Sequence, residues 1–395
     1  MADTIIIGAG IAGLTVALAA IKKAPASRVL VLEAYDYVGG RIVTYHKSPN
    51  QWEIGAGRIA TSHTRVRALM KRYDLTWTPL AGPSEPVAFA ALAPIYLDTL
   101  RVLPLNILGR YTIIELLTKI HGPRTAKRFA SLFPYWCELR RLRADLALKA
   151  FASEMSPAAS FGVCLEGLDQ IPKRMAAEFT SLGGEIWLNT PVKDIRDDNT
   201  ILLGKGRAIS APRIILALHS DAIAALPSIK WSPARHLHMD PLVRMYAVFP
   251  TKPTTWFTAA DRIVVPGRIR YIIPIDVKKG SIMISYTDGA DARYWMARHA
   301  AHGIAGIQEE VMRNIRAIFS TRHIPDPILF KYYPWHSGCT YWLPGRYDVA
   351  EMSKRAHIVR DGSIYACGES LSMRQAWIEG ALESAETVCK LLGFD

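Results

Sequence analysis

The stretch from Thr4 to Glu33 constrains the fold more than any other part of the chain. Ile5, Ile6 and Ile7 form a β-branched run that ends at a glycine, which is the pattern of a short parallel strand buried on both faces. Residues 12–23 are rich in Ala and Leu and predict a helix, with Pro25 beyond its end. Residues 28–33 (RVLVLE) predict a second buried strand. Strand, helix and strand in this order make a right-handed βαβ unit. Between the first strand and the helix stands Gly8-Ala9-Gly10-Ile11-Ala12-Gly13, a GxGxxG turn. Gly8 permits the tight turn, Gly10 lets a pyrophosphate approach the backbone, and Gly13 allows the helix to pack closely on the strand. The turn, Ala12 included, opens a helix whose N-terminal N–H groups and dipole face the phosphates. Glu33 follows Gly13 by twenty residues and ends the second strand. A carboxylate there accepts hydrogen bonds from ribose hydroxyls and repels a 2′-phosphate. The unit predicts a dinucleotide site.

The rest of the chain predicts a second body of different make-up. Thr61 and Ser62 are the expected caps of a helix through Val66 and Met70. Residues 94–150 read as helical, with amphipathic spacing at Leu132, Trp136, Leu139, Leu142 and Leu146. A helix is expected over 169–182, closed by Gly183-Gly184, then strands over 185–188, 192–195 and 214–218. From 245 to 286 the pattern is mostly strand and fits a long antiparallel sheet. A helix over 304–319, a short strand over 364–366 and a final helix over 374–392 complete the reading. The expected fold class is α/β with an α+β second domain. A Rossmann-like dinucleotide domain takes residues 1–80, 160–230 and 345–395, and an inserted substrate domain of antiparallel sheet plus helices takes 81–159 and 231–344.

Composition narrows the partners. Lys and Arg number 48 against 35 Asp and Glu, for a net charge of +13. Such a balance can favour nucleic acid, anionic membranes or acidic ligands. The basic residues are scattered and not interleaved with aromatics, so a solvated basic surface is expected and nucleic-acid binding is not. Five widely spaced cysteines rule out a disulfide scaffold and point to a reducing compartment. The eleven histidines show no HxxxH or HExxH spacing, so no catalytic metal is expected. The apolar run from Ile5 to Ile21 lacks a basic leader and is broken by glycines, which argues against a signal sequence. No other stretch reaches membrane-spanning length. A cytoplasmic protein without a membrane span is expected.

Gly39-Gly40-Arg41 comes six residues past Glu33, and here the sequence resembles the FAD-dependent amine oxidase family of monoamine, polyamine and L-amino-acid oxidases. The resemblance implies FAD rather than NAD, with Gly40 and Arg41 at the flavin phosphates. Asn189-Thr190-Pro191-Val192 resembles the family strand whose valine backbone meets the adenine. Cys367-Gly368-Glu369 resembles the element whose glycine and glutamate contact the ribityl chain and phosphate. Trp377-Ile378-Glu379-Gly380-Ala381 resembles the start of the family's last helix, which faces the flavin pyrimidine.

The same resemblance implies the substrate side. The segment 53–59 (EIGAGRI) passes the flavin, so Gly57 and Arg58 are expected beside it. Arg58 matches the arginine that holds the substrate carboxylate in L-amino-acid oxidases, a role that suits a guanidinium fork. An arginine paired with a structural acid or with phosphate is the alternative. Residues 334–340 (PWHSGCT) resemble the segment beside the flavin. Trp335 and Trp377 are then aromatic walls for the substrate, or else core residues. Cys339 falls where monoamine oxidases bond the flavin covalently; a buried free cysteine is the alternative. Arg244 stands where the family places a lysine hydrogen-bonded through water to the flavin, and arginine is larger and does not deprotonate.

The implied activity is FAD-dependent oxidation of an L-amino acid. Hydride leaves the α-carbon for the flavin, and the imino acid hydrolyses to a 2-oxo acid and ammonia. Molecular oxygen restores the flavin and yields hydrogen peroxide. A monoamine or polyamine oxidase on the same fold is the nearest alternative, and a flavin-binding protein without oxidase turnover is the alternative from another class.

Overall fold

A computed structural model describes residues 2–80, 87–154, 160–360 and 362–395. Thr4–Ile7 is the centre of a six-stranded sheet with the order Ile358–Arg360, Ile364–Ala366, Arg213–Leu216, Thr4–Ile7, Val29–Leu32, Glu185–Trp187. All neighbours are parallel except the outer pair, Ile358–Arg360 with Ile364–Ala366. Both faces are covered, as the unbroken isoleucine run requires. Ile6 packs with Leu14, Phe179 and Val388 on one face. Ile5 and Ile7 pack with Ile214 and Leu216 on the other. The helices Ile11–Lys23, Gln170–Ser181 and Ile378–Leu391 supply the first of these layers.

The direction of strand addition reverses between Thr4–Ile7 and Arg213–Leu216. In open α/β sheets ligands bind at such a switch point, outside the carboxyl ends of the strands. Four chain segments meet there through backbone bonds: Gly8 N donates to Leu32 O at 2.7 Å, Ala217 N to Ile7 O at 2.8 Å, and Cys367 N to Leu216 O at 3.0 Å.

The second large sheet has five antiparallel strands, in the order Ile263–Val264, Tyr271–Asp276, Ser281–Asp288, Leu237–Val248, Leu329–Trp342. Helix Gly289–Ile318 covers one face of it, with Trp295, Ile307 and Ile315 against Val243, Ile282 and Ile284. Gly303, with a non-helical φ of +63°, breaks this helix in two; the second piece begins at 304 as expected, and the first piece, from Gly289, is absent from the sequence reading. Strand Leu329–Trp342 is absent from the sequence reading. It carries Pro334 and Gly338, which argue against a central strand, and it lies at the sheet edge, where a missing N–H is tolerated.

The helices Val87–Arg101, Ile113–Leu132, Trp136–Arg140 and Ala144–Glu154 share a core cluster with the parallel strands. The ends of the expected 81–159 segment, residues 81–86 and 155–159, lie outside the described residues. Among the described residues no helix is long and apolar enough to cross a membrane, and the five cysteines are free.

The cap at Thr61 and Ser62 is not formed. Helix Thr64–Arg72 has no cap from its own flank. The buried carboxylate of Glu379, from the last helix, accepts from Arg65 N at 3.1 Å and Val66 N at 3.2 Å. It also pairs with the Arg65 guanidinium at 3.3 Å. A carboxylate on free helix N–H groups satisfies both the hydrogen bonds and the dipole, and here it ties two helices together.

Candidate active site

A cavity of about 980 Å³ runs from the carboxyl ends of the parallel strands to the antiparallel sheet. Of the residues singled out in the sequence, Gly8, Gly10, Ala12, Glu33, Gly40, Arg41, Gly57, Arg58, Val192, Arg244, Trp335, Cys339, Gly368, Glu369, Trp377 and Ile378 line it, and Gly13 does not.

The glycines at the first end do different work. Gly8 has φ +110°, and a Cβ there would sit 2.5 Å from Ala217 O. A Cβ on Gly13 would sit 2.0 Å from Gly8 O, so this glycine lets the helix lie on the strand. A Cβ on Gly10 would meet no atom within 4 Å. Gly10 is the N-cap of helix Ile11–Lys23, with no side-chain cap and no acid in the first turn. Free N–H groups at an uncapped, open helix end suit an anion such as a diphosphate. Glu33, at the same end, is buried and accepts from Ala9 N at 2.7 Å and Tyr35 N at 2.9 Å. Each carboxylate oxygen keeps further acceptor capacity for a hydroxyl. Open glycine, uncapped helix and acceptor carboxylate fit an extended dinucleotide such as FAD.

Arg41 and Glu369 come together on the cavity lining, with Nη2 to Oε2 at 2.9 Å. Arg41 Nη1 also donates to Gly338 O at 2.9 Å, and Glu369 accepts from Thr340 N at 3.1 Å and Ala376 N at 2.8 Å. The pair joins the Gly39-Gly40 turn, the edge strand and the approach to the last helix. Burial lowers the Arg41 pKa, but Glu369 outweighs it and the net shift is upward.

Arg58 also lines the cavity. Its Nη2 donates to Tyr135 Oη at 2.5 Å. Its guanidinium lies 4.7 Å from the Phe161 ring centre and 6.0 Å from that of Trp377. Trp377 stacks on Phe161 at 5.8 Å and meets His63 edge-on at 4.8 Å. Burial pushes His63 down to about 4, so it is neutral at pH 7. Trp335 donates from Nε1 to Ile54 O at 3.1 Å. Arg244 donates from Nη1 to Glu53 O at 3.1 Å and lies 4.9 Å from the Tyr286 ring. A Cβ on Gly57 would come within 3.2 Å of that Nη1, so the glycine makes room for the guanidinium. Burial pushes the Cys339 thiol up to about 12, which keeps it protonated at neutral pH; the thiolate is the reactive form.

Sequence reasoning assigned no role to Glu53, Tyr135, Phe161, Tyr286 or Asp288, all of which line the cavity. Tyr135 and Phe161 come from segments far from Arg58 in sequence, and no local pattern marks them. Glu53 sits inside the glycine-rich segment, which is the only signal it gives. Burial raises Glu53 to about 7, although its carboxylate accepts from Leu168 N at 2.9 Å and Thr44 Oγ1 at 2.7 Å. Burial likewise raises Asp288 to about 6.

The Glu53 shift makes stability depend on pH. Its ordinary value is 4.5, so the folded chain holds this proton more tightly than the unfolded chain does. The stabilisation is complete below that value and is lost as pH rises through about 7. The thermal midpoint is expected to fall between pH 5 and pH 8, and Glu53→Gln to reduce the fall by on the order of 2 kcal/mol in unfolding free energy. Calorimetry of both proteins across that range checks it; equal falls would remove Glu53 as the cause.

Comparison with known proteins places this geometry. Residues 113–392 match the flavin containing amine oxidoreductases, and residues 6–73 match an NAD(P)-binding Rossmann-like domain. Over 81 residues the chain is 41% identical to an L-amino-acid oxidase of Crotalus adamanteus, a stretch covering 20% of this chain and 15% of that protein. It is 25% identical to Aplysianin-A of Aplysia kurodai over 287 residues, 57% of this chain and 50% of that one. The matches thus span half or less of the length of these relatives. Among solved structures, putrescine oxidase bound to putrescine superposes with a TM-score of 0.75 at 16% identity, covering 99% of both chains. Cyclohexylamine oxidase from Brevibacterium oxydans gives a TM-score of 0.75 at 19% identity, again over 99% of both chains. At these identities the structures share the fold.

Proposed function

The chain belongs to the flavin-containing amine oxidoreductases, and from that premise we propose that it is an FAD-dependent oxidase acting on the α-amine of L-amino acids. One observation carries the choice of substrate. Arg58 lies on the cavity wall, with its guanidinium face on Phe161, one edge held by Tyr135, and Trp377 beside it. Stacking fixes the plane of the fork, and a fixed planar fork suits a carboxylate. The local likeness to L-amino-acid oxidases supports the same reading.

FAD, when bound, supplies the two-electron acceptor for the substrate and passes the electrons to molecular oxygen, with hydrogen peroxide as product. The residues of this chain hold and orient. Gly10 and the helix behind it receive the diphosphate, Glu33 the ribose. Arg41, kept charged by Glu369, adds a cation along the phosphate path. Arg58 binds the α-carboxylate, and Tyr135 keeps the guanidinium in place. Trp335 and Trp377 confine the α-carbon and exclude water, so that binding energy at the carboxylate becomes orientation at the reacting carbon.

A second reading has its own support. Glu138 and Asp288 also line the cavity, and carboxylates there suit an additional ammonium group, as in a diamine. Anaerobic mixing separates the two. The holoprotein is mixed with a pool of L-amino acids, then with a pool of mono- and diamines, and the visible flavin band is followed. Bleaching by the amino acids alone is the expected result. Bleaching by the amines alone would move the assignment to the second reading. Bleaching by neither would sink both and leave a flavin-binding protein without turnover.

A further inference from the structure

The cavity also follows one face of the antiparallel sheet. Tyr246 lies opposite Met283, and Met283 opposite Ile273. Ile263 pairs with Ile272, which brings the preceding residue, Arg262, beside Ile273. All four of these residues line the cavity. Directly opposed residues of antiparallel strands share a face. With strands about 4.8 Å apart, the row carries the wall roughly 14 Å from Tyr246 to Arg262.

Three members of the row are apolar or aromatic, and the last is a guanidinium. Arg262 is half-buried, and its side chain makes no hydrogen bond, ion pair or ring contact with the described residues. The other cavity arginines contrast with it. Arg41 pairs with Glu369, Arg244 bonds the Glu53 carbonyl, and Arg58 bonds Tyr135. A cation drawn partly out of water without a partner is unfavourable. On a ligand cavity wall it leaves an anion position for the ligand to fill, and the guanidinium fork matches a carboxylate.

We propose that Arg262 is a specificity-determining residue that binds a carboxylate at the far end of the substrate side chain, so that the preferred substrates are amino acids with acidic side chains. The proposal rests on the reading of Arg58 as the anchor of the α-carboxylate and adds a second anchor past an apolar wall. That wall accommodates methylene groups, so a homologous series measures the length that fits.

The test uses the holoprotein and its Arg262→Gln and Arg262→Lys variants. Substrates are L-aspartate, L-glutamate, L-2-aminoadipate and the neutral L-norleucine. Glutarate and pentanoate, which have no amine to oxidise, are titrated by calorimetry. The wild type is expected to prefer one acidic substrate over norleucine. Arg262→Gln is expected to lower that preference about 10- to 100-fold, mainly through KM. Arg262→Lys should restore part of it, and glutarate affinity should fall with the preference while pentanoate affinity changes less. Equal losses on acidic and neutral substrates would reduce Arg262 to a structural role and overturn the proposal. Norleucine turnover with no acidic preference in the wild type would overturn it while leaving the Arg58 reading standing. Glutarate binding that depends on Arg262, in a protein whose flavin no amino acid reduces, would support the Arg262 site while the Arg58 reading fails.

Discussion

Arg58→Ala is expected to lower kcat/KM for L-amino acids on the order of 10²- to 10³-fold, with a much smaller change for simple amines. Removing one partner of a desolvated, hydrogen-bonded charge pair costs about 2–5 kcal/mol, and that loss falls on the substrate that carries a carboxylate. Most of it should appear in kcat as well as KM. On the proposed reading, an amino acid released at its carboxylate also loses its alignment between Trp335 and Trp377. Arg58→Lys keeps the charge but loses the planar fork and its stacking on Phe161, so it should recover only part of the activity. Steady-state kinetics on matched amine and amino-acid pairs decide the matter. Equal losses on both classes would show that Arg58 shapes the cavity without reading the carboxylate.

The second large effect separates two glycines of one turn. Gly10→Ala should leave the fold intact and strip the protein of flavin, while Gly13→Ala should damage the fold itself. Gly10 has φ −71°, which any residue adopts, and a Cβ there meets nothing of the protein within 4 Å. The added methyl occupies the space left for the diphosphate, so flavin content should drop about tenfold or more while the apoprotein midpoint changes within the roughly 0.5 kcal/mol of a neutral substitution. A Cβ on Gly13 comes within 2.0 Å of Gly8 O and 3.0 Å of the Ala217 side chain. The helix must then lift from the strand, an overpacking that costs roughly 1–3 kcal/mol or more. Flavin absorbance relative to protein, together with the apoprotein midpoint, reads both. Full flavin in Gly10→Ala would show that no phosphate approaches that backbone.

The site residues differ in how far sequence reveals them. Gly8, Gly10, Gly13 and Glu33 could be read from spacing alone, because strand, turn and helix are adjacent in the chain and each glycine answers a backbone requirement within a few residues. Arg41, Arg58, Glu369 and Trp377 came from resemblance, and all four line the cavity. Their partners could not be read. Glu379 looked like part of a helix start, yet its carboxylate caps a helix more than three hundred residues away in the chain. Thr61 and Ser62 were the local candidates for that cap and lost to it. A buried carboxylate also paired with Arg65 satisfies more of the helix end than a flanking hydroxyl can.

What the sequence by itself determined is the class of the molecule: a dinucleotide-binding βαβ unit, a parallel sheet covered on both faces, and an antiparallel sheet beside it. Those follow from side-chain periodicity and glycine positions, which act over one or two elements. The tertiary structure alone decided three things. It made Leu329–Trp342 an edge strand despite Pro334, because only the sheet order shows which backbone groups lack neighbours. It raised Glu53 toward neutrality, because desolvation depends on everything packed around the carboxyl. And it set Arg262 at the end of an apolar row across four strands, because strand register, not sequence distance, determines which side chains share a face.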